Sequence, residues 1–129
     1  MFTARLPLPS LALSPNARVH WAVKARAVKA YRQACAWAFQ AAKPAGWKPQ
    51  PIEIEVEYRA HKGVGGYRPV DSDNAAASIK NAIDSMRDAG IVLSDSRKQL
   101  IWVSFKLLTT KPECVKAGGV GVFVTVRAQ

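Results

Sequence analysis

The segment Ile52-Glu-Ile-Glu-Val-Glu-Tyr58-Arg59 alternates apolar and charged residues without a break. Successive side chains on a strand point to opposite faces, so Ile52, Ile54, Val56 and Tyr58 belong to a buried face and the glutamates to a wet one. Successive glutamates on that face stand about 7 Å apart, which suits a solvated surface better than a metal site. A half-buried strand needs an apolar layer on one side, and the chain offers one. From Lys24 to Ala42, the residues Val28, Tyr31, Cys35, Phe39 and Ala42 recur on one side of a 3.6-residue period. Lys43-Pro-Ala-Gly46 ends that helix.

Further elements follow from the same patterns. Arg5–Leu13 reads as an extended opening strand with prolines at its entry, and Ser14-Pro15-Asn16 as a turn. A second helix is expected from Asn74 to Ala89, with Gly90 just past its end. Its apolar side carries Ala75, Ala76, Ile79, Ala82, Ile83 and Met86; its polar side carries Asp73, Lys80, Asn81, Asp84 and Asp88. Ile91–Leu93 reads as a short buried strand and Ser94-Asp95-Ser96 as a turn. Leu100–Leu108 is apolar on both faces, which predicts a central strand. Thr109–Gly119 reads as a hairpin-like loop, and Val120, Val122, Val124 and Val126 alternate in a last strand. With 129 residues, residues 1–129 form one domain. The fold class is α/β (α+β), a mixed β-sheet with two main helices packed on it.

No run of apolar residues is long enough for a transmembrane helix. Pro7 and Pro9 break the patch from Leu6 to Leu13, which argues against a signal peptide and for a cytoplasmic protein. Cys35 and Cys114 lack metal-ligand spacing and read as reduced structural thiols. His20 and His61 are too few for a zinc site.

The charge is lopsided. The net charge is +10, and eight Lys or Arg precede the first acid, Glu53. That balance favours an anionic partner. A membrane-surface helix would set a strong apolar face against a basic one, whereas the basic stretch here is rich in alanine. Against this background all the aspartates (71, 73, 84, 88 and 95) fall in one window. Helix capping explains one of them, with Asp73 or Asn74 as N-cap. It does not explain Asp71 beside Asp73, since like charges repel unless a cation lies between them. Mg²⁺ takes oxygen ligands, commonly one or two carboxylates plus water and phosphate oxygens. Asp71, Asp73 and Asp95 suit it. Asp84 lies about 16 Å of helical rise from Asp73, too far for one ion, and suits an i, i+4 pair with Lys80. Lys80 leans back toward the helix N-terminus, where its ammonium can meet a phosphate. If the chain returns directly, Asp95 falls level with mid-helix; either the chain crosses at an angle or two subunits share the acidic cluster.

Three blocks in this order resemble a known family. They are Leu13-Ser-Pro15-Asn16-Ala-Arg18-Val-His20-Trp21, continuing through Lys24, Arg26, Lys29 and Arg32; then Asp71-x-Asp73-Asn74 with Lys80 and Asp84; then Asp88-Ala-Gly90-Ile91 with Asp95. Together they resemble the RusA-type Holliday-junction resolvases, phage and prophage members above all, over nearly the whole chain. The resemblance implies a homodimeric endonuclease that nicks four-way DNA junctions symmetrically with Mg²⁺ or Mn²⁺. It places the essential aspartates on Asp71, Asp73 and Asp95 and the catalytic lysine on Lys80. The gap from Asn74 to Lys80 is longer than in the best-known form, as in the phage-like branch. Ser94-Asp95 stands where two consecutive acids are common.

The expected chemistry is in-line hydrolysis of a phosphodiester of branched DNA, with no small-molecule cofactor beyond the metal. Asn16, Arg18, Lys24, Arg26, Lys29, Arg32 and Arg68 are the expected DNA contacts, largely to phosphates, which makes binding salt-dependent. Trp21 or Tyr31 is a candidate to wedge or stack at a branch point, against a core role for either. The rival reading is a non-catalytic, structure-specific DNA-binding protein whose aspartates are caps and ion-pair partners.

Overall fold

The structure is a computed structural model. It describes residues 1–14, 17–61, 72–94, 96 and 98–129, and of Ser72 and Asp73 the backbone alone. The described residues form a four-stranded mixed sheet with helices packed against it. In chain order the strands are β1 (Phe2–Leu6), β2 (Ile52–Arg59), β3 (Leu100–Leu108) and β4 (Gly121–Ala128). In space the order is β1-β4-β2-β3, with β4 antiparallel to both neighbours and β2 parallel to β3. The helices are α1 (Trp21–Ala42), α2 (Ser72–Ser78), α3 (Lys80–Asp88) and α4 (Lys111–Ala117), with a 3₁₀ turn at Leu11–Leu13. No helix among the described residues is long and apolar enough to cross a membrane.

The alternating strand and the first helix pack as their patterns require. Ile52, Ile54, Val56 and Tyr58 are buried, and so are Val122, Val124 and Val126 on β4. Against them α1 buries Tyr31, Cys35 and Phe39. Each such apolar side chain contributes about 1.5–3 kcal/mol by leaving water. The outer face of the sheet is polar: Glu55 accepts a hydrogen bond from Arg127 at 2.6 Å, Glu57 from Arg59 at 2.9 Å, and the Arg59 guanidinium lies 3.7 Å from the centre of the Phe123 ring. Both cysteines are buried free thiols. Burial pushes the Cys35 thiol up to about 12, opposed by its hydrogen bond with Tyr31.

Several boundaries differ from the sequence reading. The first strand is Phe2–Leu6, not Arg5–Leu13, because Pro7 and Pro9 lack the N–H a ladder needs. Helix α1 starts earlier, at Trp21, where the His20 Nδ1 accepts the Ala22 N–H at 3.2 Å. Ile91 and Val92 are buried but form no strand: the Ile91 carbonyl accepts from the Gln50 N–H and the Trp47 indole instead. Residues expected in a loop after β3 form α4. Thr110 and Glu113 make a capping box, and Gly118 closes the helix at φ 109°.

The expected second helix is two. Helix α2 starts at Ser72, so Asp73 and Asn74 lie in its first turn and neither is the cap. The helix breaks at Ile79, whose φ and ψ are −102° and 8°. Just before the break, the buried Ser78 hydroxyl donates to the Ala75 carbonyl at 2.7 Å, a local bond that competes with the helical ladder. The end at Gly90 is as expected: at φ 74°, Gly90 donates to the Arg87 carbonyl and Ile91 to the Met86 carbonyl.

Strand β3 lies at an edge of the sheet, not at its centre. Its pairing with β2 slips between Ile54 and Glu55, so that Trp102 pairs with Ile54 and Ser104 with Glu55. Val103 is the extra residue of a bulge. Leu100 and Trp102 face the helices before the bulge; Phe105 and Leu107 pack on the core after it. One side therefore takes even positions and then odd ones, and this gives the sequence its look of a strand apolar on both faces.

Candidate functional site

Lys80 opens α3 directly after the break at Ile79 and is exposed. It lines a groove of about 380 Å³ with Ala76, Ala77, Asp84, Leu100 and Trp102. One wall of the groove is α2–α3, the other the N-terminal half of β3. Asp73 precedes Lys80 by seven residues, about 10 Å of helical rise. Asp95 precedes Leu100 by five residues, and its neighbours Ser94 and Ser96 meet hydroxyl to hydroxyl at 3.1 Å. Lys80 and the start of β3 thus share one groove. Asp71, Asp95 and the Asp73 side chain lie outside the described residues, as do Asn16 and Arg68. Among the described residues no group of three or more His, Cys, Asp or Glu is placed to hold a metal ion. The donor set expected from the sequence, three carboxylates, has the hard oxygen chemistry of a Mg²⁺ site.

The basic residues expected to meet DNA differ among themselves. Arg18, Lys24, Arg26 and Lys29 are exposed, and α1 contains no acid. Arg32 is held by Asp88 through two hydrogen bonds, Nε to Oδ2 at 2.6 Å and Nη2 to Oδ1 at 3.0 Å. The Arg32 hydrogen bond keeps the Asp88 carboxyl below its usual value, against a smaller opposing effect of burial. Of the two aromatic candidates, Trp21 is 77% exposed and leans on the His20 ring. Tyr31 is in the core, its hydroxyl donating to the Pro7 carbonyl at 2.8 Å, so it cannot stack on a base. Burial, reinforced by Cys35, raises the Tyr31 pKa.

Two exposed tryptophans lie outside the sequence reading. Trp102 was hidden by the bulge, which no local pattern marks. Trp37 had a signal: it lies off the Tyr31–Cys35–Phe39 stripe of its helix and is 63% exposed.

No family model matches the chain. A protein of Xylella fastidiosa (strain Temecula1), described as uncharacterized, is 36% identical to it over 129 aligned residues, which cover 97% of this chain and 76% of that protein. The two belong to one family. The similarity covers 97% of the chain.

Proposed function

We propose that this chain is a Mg²⁺-dependent endodeoxyribonuclease that resolves four-way DNA junctions as a homodimer, with Mn²⁺ able to substitute. The observation that carries the reading is the order Asp71-x-Asp73-Asn74, Lys80, Asp95 in a chain of net charge +10, together with its resemblance to RusA-type resolvases. Three features of the structure support it. Helix α2 starts at Ser72, so the backbone of Asp73 belongs to the first turn of a helix that runs toward Lys80. Lys80 is exposed in the groove beside β3. Arg18, just before α1, and Lys24, Arg26 and Lys29 on it are exposed and available for phosphate contacts.

Asp71, Asp73 and Asp95 would hold the metal. When bound, it supplies the Lewis-acid charge that activates water and offsets charge on the phosphate. Lys80 meets the phosphate from the groove side and offsets the charge that develops on it. The basic face of α1 positions the backbone without reading sequence. Junction choice then comes from shape, a two-fold dimer matching a two-fold branched substrate. Edge strand β3 exposes Ile101, Trp102 and Val103, and an exposed apolar edge is a ready surface for a second copy.

The test of substrate class is competition between a labelled four-way junction and a linear duplex of equal length, with Mg²⁺ and with EDTA. Metal-dependent nicks confined to the junction are expected. Equal cutting of both, or cutting of single strands and flaps in preference, would replace this substrate with another.

A further inference from the structure

Trp37 stands in a groove of about 300 Å³ shared with Lys29, Arg32, Gln33, Gln40 and Asp88. Single exposed apolar residues are common on protein surfaces and need no explanation; the walls around this one do. Arg32 and Asp88 are locked together by two hydrogen bonds. One wall is therefore preformed, and its charges cancel. Gln33 and Gln40 are exposed on the side of α1 that carries Trp37, and each amide offers both donors and an acceptor. Lys29 is exposed and makes no salt bridge with another described residue. The groove thus presents a π-face, amides that can match a base edge, and a cation at one end.

An unpaired nucleotide has the complementary parts. Its base stacks on an aromatic ring, its edge pairs with amides and its phosphate meets a lysine. In an intact duplex the base faces are covered by their neighbours, so the indole has nothing to stack on. The charge of the helix points the same way, with four Lys or Arg and no acid from Trp21 to Ala42. Asp88 closes α3 at the end opposite Lys80, about 12 Å of helical rise away. The groove is therefore a contact apart from the cleavage centre.

We infer that the Trp37 groove binds one unpaired nucleotide of DNA, with the base on the indole, Gln33 and Gln40 at its edge and the phosphate on Lys29. This inference rests on the reading of the protein as one that binds branched DNA. It adds a device that favours strands with unstacked bases, such as those at a branch point.

Binding is measured by fluorescence anisotropy in EDTA, so that no strand is cut, over one series of salt concentrations common to all proteins and probes. The probes are a labelled single strand and a blunt duplex of equal length; the proteins are wild type, Trp37→Ala, Trp37→Phe and Lys29→Ala. Trp37→Ala should weaken single-strand binding about 5- to 150-fold and leave duplex binding within about twofold. Trp37→Phe should recover most of the loss, and Lys29→Ala should flatten the salt dependence on the single strand by roughly one phosphate contact. Unchanged single-strand binding by Trp37→Ala, or an equal loss on both probes, overturns the inference while leaving the DNA-binding reading intact. Wild type that binds neither probe overturns both.

Discussion

The two edges of the sheet are built differently. Edge strand β1 is five residues long, alternates buried and exposed positions, and is stopped by prolines. Its buried residues Ala4 and Leu6 face the core, and its outward Thr3 pairs hydroxyl to hydroxyl with Thr125 on β4 at 3.0 Å. Edge strand β3 is nine residues long and carries exposed Ile101, Trp102 and Val103 around a bulge. A short, proline-ended edge with polar outer residues resists pairing with another chain. The β3 edge has the length and apolar character that invite it, tempered by the bulge. One edge is finished within the chain; the other leaves apolar surface beside the groove that holds Lys80. In the proposed homodimer, this surface next to Lys80 is where a second copy would pair.

This contrast can be broken at either edge. The largest effect is expected at the finished one. Leu6 is 1% exposed, and Leu6→Ala should cost about 2–5 kcal/mol, read as a lower midpoint in urea denaturation. A loss under about 0.5 kcal/mol, the scale of surface changes, would mean that β1 is not part of the core. At the open edge, Val103→Lys should leave the fold intact and weaken self-association by roughly tenfold or more, the scale of losing one buried interface anchor. Sedimentation over a concentration series measures it. If wild type and variant have the same dissociation constant, the second copy does not pair through β3.

The smallest effect is expected from the Arg32–Asp88 pair, which lies away from both edges. Asp88 is held below its ordinary pKa by the hydrogen bond from Arg32. A depressed folded-state pKa adds stability above the unfolded value, and that stability is lost as pH falls through the folded one. The side chains are 33% and 40% exposed, so solvent screens the pair and limits it to less than about 1 kcal/mol. Arg32→Met should therefore be slightly less stable than wild type near neutral pH, with the two converging in acid. A gap that persists or widens in acid would assign the effect to packing of the Arg32 stem rather than to the ion pair.

Much of the architecture was legible in the residues. Strand β2, the buried face of α1, the alternating β4 and the stop at Gly90 each follow from a periodic pattern or a backbone need written in one short segment. The capping box at Thr110 and Glu113, with Gly118 after it, was equally local, and it marks α4 where a loop was expected. What could not be read was non-local. The bulge at Val103 exists only in the pairing of β3 with β2, and without it an edge strand looks like a central one. The break at Ile79 has no local mark either: Ser78 bonds back to the Ala75 carbonyl beside it, but the likewise buried Ser85 bonds back to Ala82 within the unbroken α3. For the candidate site, the sequence put Asp73 and Lys80 on one helix, which the fold divides at Ile79 into α2 and α3, and the fold adds the start of β3 and Trp102 to the groove of Lys80. Asp71, the Asp73 carboxylate and Asp95 are chosen from spacing and resemblance alone.

The central claim is that these aspartates perform metal-dependent cleavage of a branched substrate. The most direct test is an end-labelled four-way junction incubated with wild type and with Asp73→Asn, each with Mg²⁺ and with EDTA. Paired, symmetric nicks from wild type with Mg²⁺, absent in EDTA and absent from Asp73→Asn, are the predicted result. Salt-sensitive binding of the junction by both proteins, with no nicks from either, would contradict the account and leave a structure-specific DNA-binding protein whose aspartates serve the fold.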